Sequence, residues 1–425
     1  MRISPALPFA ILLVGLTACT SAEGGPRSTA GATPPAKPGA SAPSAPGAGN
    51  GSSFTISAAL DTDAAVQARA GTQYTHRYTP ATTVASGLTA NVLDITGDGR
   101  LVVAGSPDAK SVDGVVQIEQ SRVGIQDATA FKPFPPAHNG KCQNTRRQAI
   151  YADEQQDTVV WTESASTNLF AVDWCVFAYN PQSKTSALLG DSATIGPKEG
   201  MPEPPGTSAV TVGTSHAFWA TAYPTPGKKP EFGVKIVARG INGGGQLETA
   251  VDRAKLPQAV GDTLFYVRSA DIAPGFDAHR FEIRKRSAQG DGVVASGRLA
   301  EGQTVSALSA TATRTTWVIA NSDGETSTLY SLDLAANKAV SVKLHHPGPS
   351  TMHLRSTDTH LIWGSGSAAG DAGQYLYALD TGKLWRLGSE EGYSVVHAKG
   401  DHIAWAAIPD TAPDAKATYE VADLK

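Results

Sequence analysis

Cysteine is almost absent from this chain of 425 residues. It has three, Cys19, Cys142 and Cys175, and the ten histidines show no structural-zinc spacing beside them. Charge is thin too. Asp, Glu, Lys and Arg make up 17% of the residues, the net charge is −4, and no long Lys/Arg block occurs, which argues against a nucleic-acid binder. The densest basic cluster, Arg284-Lys285-Arg286 in FEIRKRS, alternates with Phe281 and Ile283 and reads as a solvated strand edge. Helical signals are scarce; Asp63 to Ala70 is the one stretch that reads as a short helix. Local catalytic motifs are missing as well: no Gly-x-Ser-x-Gly elbow, no His-Glu-x-x-His and no phosphate loop. That lowers an enzymatic reading without excluding it, because carboxylates distant in sequence can converge in a fold.

The first residues look like an export signal. Arg2 supplies a positive start, and Ala6 to Gly15 is an apolar run too short for a permanent bilayer span. Leu16-Thr17-Ala18-Cys19 follows and resembles the bacterial lipobox. The resemblance implies a lipoprotein signal peptide over 1–18, acyl chains on Cys19, and anchoring at the extracytoplasmic face of the cell membrane. An ordinary secretory signal or a short anchor is the alternative. Residues 19–53 are mostly Ala, Gly, Pro, Ser and Thr, a composition that cannot bury enough apolar surface to fold. They read as a disordered tether to a folded domain over 54–425. Lipidation of Cys19 leaves an even pair, and an oxidising compartment favours a disulfide between Cys142 and Cys175 over two separate buried thiols.

The folded part repeats one phrase, clearest in Val305 to Leu344: VSALSAT, TTWVIA, TLYSLDL and AVSVKL, each run ended by turn residues. Second strands with a bulky residue after a turn recur at Leu101, Trp161, Trp219, Tyr266, Trp317, Trp363 and Trp405. First strands precede them as NVLDI, AIYAD, AVTVG, QAV, VSALSA, MHLRS and SVVHAK. Such a period, with four strands per unit, predicts an all-β fold: a β-propeller of seven four-stranded blades. The aromatic residues at the repeated position read as blade packing. The last unit has only three strands before Lys425, so QYTHRYT, Gln73 to Thr79, is expected to supply its outer strand and close the ring.

Gly97-Asp98-Gly99-Arg100 and the LVVAGSP after it resemble the Asp-Gly turn of TolB-like and WD-repeat propellers. The Trp-Asp dipeptide with its preceding Gly-His is absent. Asp94, Thr96 and Asp98 resemble a calcium loop of the integrin-repeat type, but the later carboxylate position holds Val102, so a turn without metal is expected. No cofactor is called for.

In such a ring the second-to-third loops and the interblade loops share one face, and here both classes are long. Long loops on a rigid scaffold usually carry function. The candidate binding residues on that face are His138, Asn139, Arg146, Arg147, Trp174, Asp271, Asp277, His279 and Arg280. Cys142 and Cys175 map to one end of blade two, where a bridge would pin the Pro-rich loop from Phe131 to Arg147. The functional expectation is a lipid-anchored binding or scaffolding module for a protein or envelope component. The alternative is a propeller enzyme, such as a glycosidase, a lyase or a quinoprotein, with its site on the long-loop face. A sialidase is disfavoured, because the nearest match to its repeated turn, at Ser322-Asp323-Gly324-Glu325, occurs once and with the wrong spacing.

Overall fold

A computed structural model describes residues 53–77 and most of 89–425, with gaps at 107–110, 113–114, 117–121, 128–129, 138–141, 143–147, 165–173, 196–208, 225–231, 271, 273–275, 323, 325, 346–352, 366–372, 389–392 and 409–418. Cys19 and the tether up to residue 52 lie outside the described residues. Seven antiparallel sheets follow one another along the chain, over 89–133, 148–191, 210–251, 255–298, 303–345, 354–388 and 393–424. We number these blades 1 to 7. Their first strands touch in the order 1 to 7 and back to 1, so the sheets form a closed ring around an axis. The protein is a seven-bladed β-propeller.

Hydrophobic alternation sets the blades side by side. A strand whose two faces are both apolar must bury both, and each blade does so against its two neighbours. The buried residues accordingly fall into seven clusters, one at each joint between consecutive blades. The repeated aromatic position is the centre of this packing: Trp161, Trp219, Tyr266, Trp317, Trp363 and Trp405 are all buried. In three blades it stacks on the residue opposite it in the third strand: Trp161 on Phe177, Trp317 on Tyr330 and Trp363 on Tyr375, with ring centroids 5.4, 5.5 and 5.5 Å apart. Such cross-strand aromatic pairs add to the stability given by area alone.

Blade 7 contributes only three strands of its own. Tyr74–His76 pairs antiparallel with Glu420–Leu424 and becomes its fourth, as the sequence predicts. The N-terminal segment does more than close one blade. Thr55–Asp61 runs parallel to Lys338–His345 as a fifth strand on blade 5, and Val66–Gln67 runs parallel to Leu384–Gly388 as a fifth strand on blade 6. Ser53 exchanges hydrogen bonds with Ser296 of blade 4, and Arg77 Nη1 donates to the Asp98 carbonyl of blade 1. One sash of 25 residues, 53–77, therefore touches five consecutive blades. Asp63 to Ala70, expected as a short helix, forms a 3-10 turn at Thr62–Ala64 and then the short strand on blade 6. The unpaired edge of that blade offers ladder bonds that outweigh a weak local helical preference.

Aromatic contacts seat the sash. Phe54 meets Trp317 and Tyr330 edge-on at 5.3 and 5.9 Å, and Tyr74 meets Trp405 at 5.2 Å. Asp61 bonds His345 Nε2 through both oxygens, at 2.9 and 3.0 Å. Where the sash ends, Arg77 lies against Gly99, which has φ +80°; a Cβ there would collide with the guanidinium.

Cys142 and Cys175 form a disulfide with Cα atoms 6.2 Å apart, closing a separation of 33 residues at one end of blade 2. Replacing both by Ser should cost about 2–4 kcal/mol of stability, measured by reversible denaturant unfolding. Removing residues 1–80 should abolish the single cooperative melt of the domain, and Tyr74→Ala should cost about 3 kcal/mol. A truncated chain that melts like the parent would contradict ring closure by the sash.

Candidate functional site

The axial ends of the first strands carry a ring of polar residues. In the strand register of blades 2 to 7, one first-strand residue lies opposite the residue that precedes the repeated aromatic position; in blade 1, Asp94 lies opposite Val102, so the register places Val103 rather than Leu101 at the repeated position. These residues are Asp94, Asp153, Thr211, Gln258, Ser309, Arg355 and His397, in blades 1 to 7. All seven are polar, in strands that are otherwise largely apolar.

In four blades the side chain reaches the backbone of the next blade. Asp94 Oδ2 accepts from the Glu154 N–H at 3.1 Å, and Asp153 Oδ2 accepts from the Val212 N–H at 2.8 Å. Thr211 Oγ1 accepts from the Ala259 N–H at 3.0 Å, and Ser309 Oγ from the Ser356 N–H at 2.9 Å. An inner strand has no neighbour on its axial side, so its N–H groups need such acceptors. The polar ring is thus a set of interblade hydrogen bonds.

Lys399, the last residue of the first strand of blade 7, joins this ring to an ionic cluster. Its Nζ lies 3.0 Å from Glu154 Oε2, 3.6 Å from Asp94 Oδ2 and 3.8 Å from Asp153 Oδ1, and it donates to the Glu154 carbonyl. Burial alone would lower its pKa; Asp94, Asp153 and Glu154 outweigh that and hold the ammonium charged well above its usual range. Burial pushes the Asp94 carboxyl up to about 6, against the pull of Lys399 and Arg355 and with added repulsion from Asp153. The cluster ties blades 7, 1 and 2 across the closing joint.

The bridging pattern breaks at blades 6 and 7. Arg355 makes one hydrogen bond, from Nη1 to the Leu354 carbonyl at 3.0 Å, and has no ion pair among the described residues. His397 is buried; the Val92 backbone interacts with its ring, but neither ring nitrogen makes a hydrogen bond of normal geometry among them, and its Nδ1 is 3.8 Å from Asp94 Oδ1. His353, two residues before Arg355, meets the His397 ring edge-on with centroids 6.1 Å apart. Burial, reinforced by the charge of Arg355, lowers the pKa of His353 to about 3. Burial, Arg355 and His353 together hold His397 neutral, well below its ordinary value. Two neutral imidazoles and one guanidinium without an ion pair among the described residues therefore share one joint.

This site lies toward the first-to-second turns, the end opposite the long loops. Of the residues expected on the long-loop face, His138, Asn139, Arg146, Arg147 and Asp271 lie outside the described residues. Asp277, His279 and Arg280 are together in an exposed turn of blade 4. There the Asp277 carboxylate accepts from the His279 N–H at 2.9 Å, and Arg280 pairs with Glu282 at 2.7 Å. Trp174, expected on the surface, is buried at the joint of blades 2 and 3 beside Trp219, at a ring distance of 6.3 Å, because its strand begins inside that apolar cluster. Asp98 does not share a metal loop with Asp94. It accepts from Thr96 Oγ1 and pairs with Arg100 at 2.7 Å, while Asp94 faces blade 2. Among the described residues, Asp61, Asp63 and His345 come within ligand distance of one another, where the sash docks on blade 5.

Sequence reasoning missed the axial site, although its signal was present. NVLDI, AIYADE, MHLRS and SVVHAK each place a charged or imidazole residue in an apolar first strand, within its last three residues.

Three imidazoles held neutral in the fold set the response to acid: His353, His397 and His360, the last also lowered by burial. Their folded pKa values lie below the unfolded value near 6.5, so the unfolded chain takes up these protons first as pH falls. Stability should drop on acidification from pH 6.5. Asp94, with its folded pKa raised to about 6, works the other way: it binds its proton more readily when folded, so it loses stability as pH rises through that range. Three groups oppose one. The double variant His353→Gln/His397→Gln should therefore show a shallower fall of Tm between pH 6.5 and 4.5, and Asp94→Asn a steeper one. Equal slopes for all three proteins would contradict this assignment.

No known protein family and no curated protein matches the sequence. Solved structures do resemble the fold. An oligogalacturonate lyase in complex with manganese superposes with a TM-score of 0.52 at 11% identity, over 85% of this chain and 95% of that one. A puromycin-hydrolyzing peptidase from Mycobacterium tuberculosis gives 0.43 at 11% identity, over 84% of this chain and 57% of that one. The β-propeller domain of the trilobed protease from Pyrococcus furiosus gives 0.36 at 11% identity, over 50% and 67%. At these identities the likeness is one of fold alone.

Proposed function

We propose that this protein is a lipid-anchored, extracytoplasmic propeller that binds a small polar ligand at the axial joint of blades 6 and 7. The observation that carries the reading is the interruption of the polar ring. Four equivalent residues are used up in interblade bonds, whereas Arg355 and His397 keep unused hydrogen-bonding capacity. A buried polar group without a partner is costly, and in folded proteins such groups gather at sites of binding or chemistry. Cys19 and the tether support the location: acyl chains would hold the domain near the envelope while leaving it free to turn. The long-loop face remains the surface offered to a protein or envelope partner.

Catalysis at the same joint is the second reading. It is favoured by Asp94, whose carboxyl, pushed up to about 6, is suited to move a proton near neutral pH. The structural resemblance to a protein named as a lyase is consistent with it.

A thermal-shift screen of small polar metabolites against the full chain in detergent tests the proposal. A ligand that raises Tm for the parent should fail to do so for Arg355→Ala and for His397→Ala, and should still work for Arg280→Ala on the opposite face. A hit that is indifferent to both axial variants would place binding elsewhere. Turnover of a hit by the parent but not by Asp94→Asn would select the catalytic reading.

A further inference from the structure

We infer that the joint of blades 6 and 7 is an oxyanion subsite, in which Arg355, with His353 and His397, holds one carboxylate or phosphate group of a small acidic ligand. This rests on the reading that the joint binds a ligand, and adds its charge and its chemistry.

Arg355 is the cation of the subsite. A guanidinium offers five N–H donors in a planar fork and cannot discharge itself by losing a proton. Here one bond goes to the Leu354 carbonyl, and no carboxylate lies within ion-pair distance among the described residues. Lys399 is the contrast, because three carboxylates within 3.8 Å satisfy the second cation of the axis. A partly enclosed cation without a counter-charge is stabilised by an anion, and a fork suits a group with two oxygens.

His397 points the same way. A neutral imidazole has one N–H to donate. His397 is only 2% exposed and uses neither nitrogen in a normal hydrogen bond, so an acceptor at the joint would satisfy it. His353 and Arg355 are partly exposed and form the open side, with His397 behind them. A metal ion is the other ligand that two imidazoles suggest. It would sit in the field of Arg355, whose charge already works against a positive charge on either ring.

Asp94 sets a limit on the anion. Its Oδ1 lies 3.8 Å from His397 Nδ1, and an ionised carboxylate there repels a second negative charge. The subsite therefore suits one compact anionic group and disfavours a polyanion.

Full-length protein in detergent is titrated by calorimetry with sodium lactate and with inorganic phosphate, and with glycerol and choline chloride as neutral and cationic controls. Binding of lactate, phosphate or both, with neither control binding, is the expected result. Lactate alone would identify a carboxylate source, and phosphate alone a phosphate source. Arg355→Met should weaken the anion about tenfold or more, the loss of a charge-assisted hydrogen bond and its charge. Arg355→Lys, which keeps the charge without the fork, should recover part of it. Should the Met variant fail to fold, the histidine NMR signals of the parent supply the test: those of His353 and His397 should shift with the bound anion and those of His279 should not. If a metabolite binds in an Arg355-dependent way but neither anion binds or competes, the joint is a ligand site and the oxyanion assignment is wrong. If no compound depends on Arg355 or His397, both readings fail.

Discussion

Closure of the ring is the constraint on which the rest depends. A propeller buries the faces of its blades only if every blade has two neighbours, and blade 7 arrives with three strands and an open outer edge. The sash supplies the missing strand at Tyr74–His76. It also runs along the outer edges of blades 5 and 6 and reaches blades 4 and 1 at its ends. Contacts far apart in sequence, such as Phe54 with Trp317 and Tyr74 with Trp405, must form before the last joint can be buried. Such long-range pairings are slow to form, because the entropy of closing the chain is lost before any contact rewards it.

Closure also assembles the axial site. Lys399 and His397 belong to the closing blade, Asp94 to the first, Asp153 and Glu154 to the second, and His353 and Arg355 to the sixth. Lys399 bridges blade 7 to blades 1 and 2, while His397 sits between Arg355 and Asp94. The sash therefore supports the geometry of the site without contributing a residue to it.

The scaffold was legible because its signal is repeated. Strand rhythm, the bulky residue at Trp161, Trp219, Tyr266, Trp317, Trp363 and Trp405, and the short last unit each follow from local patterning, and the structure has the seven blades and the N-terminal closing strand they imply. The Cys142–Cys175 bridge followed from an even count and a shared blade end. The parallel strands at Thr55–Asp61 and Val66–Gln67 were not legible. They depend on which blade edge is left open in space, and the 3-10 turn between them hides in a helix-like composition. Trp174 shows a related limit: as the first residue after a loop it reads as exposed, yet the neighbouring blade covers it. The axial residues were overlooked for a different reason. Asp94, Arg355 and His397 are equivalent only through strand register, and each alone looks like a stray polar residue.

Sash, ring and axial site form one unit, and hydrogen exchange measured by mass spectrometry tests that link most directly. Tyr74→Ala loosens the sash at blade 7, some distance from the axis. The account predicts that amides of the first strands of blades 7 and 1, Tyr393–Lys399 and Thr89–Ile95, lose protection together with Glu420–Leu424. Loss confined to Glu420–Leu424, with the two axial strands as protected as in the parent, would show that the sash closes one edge only and does not hold the axial site together.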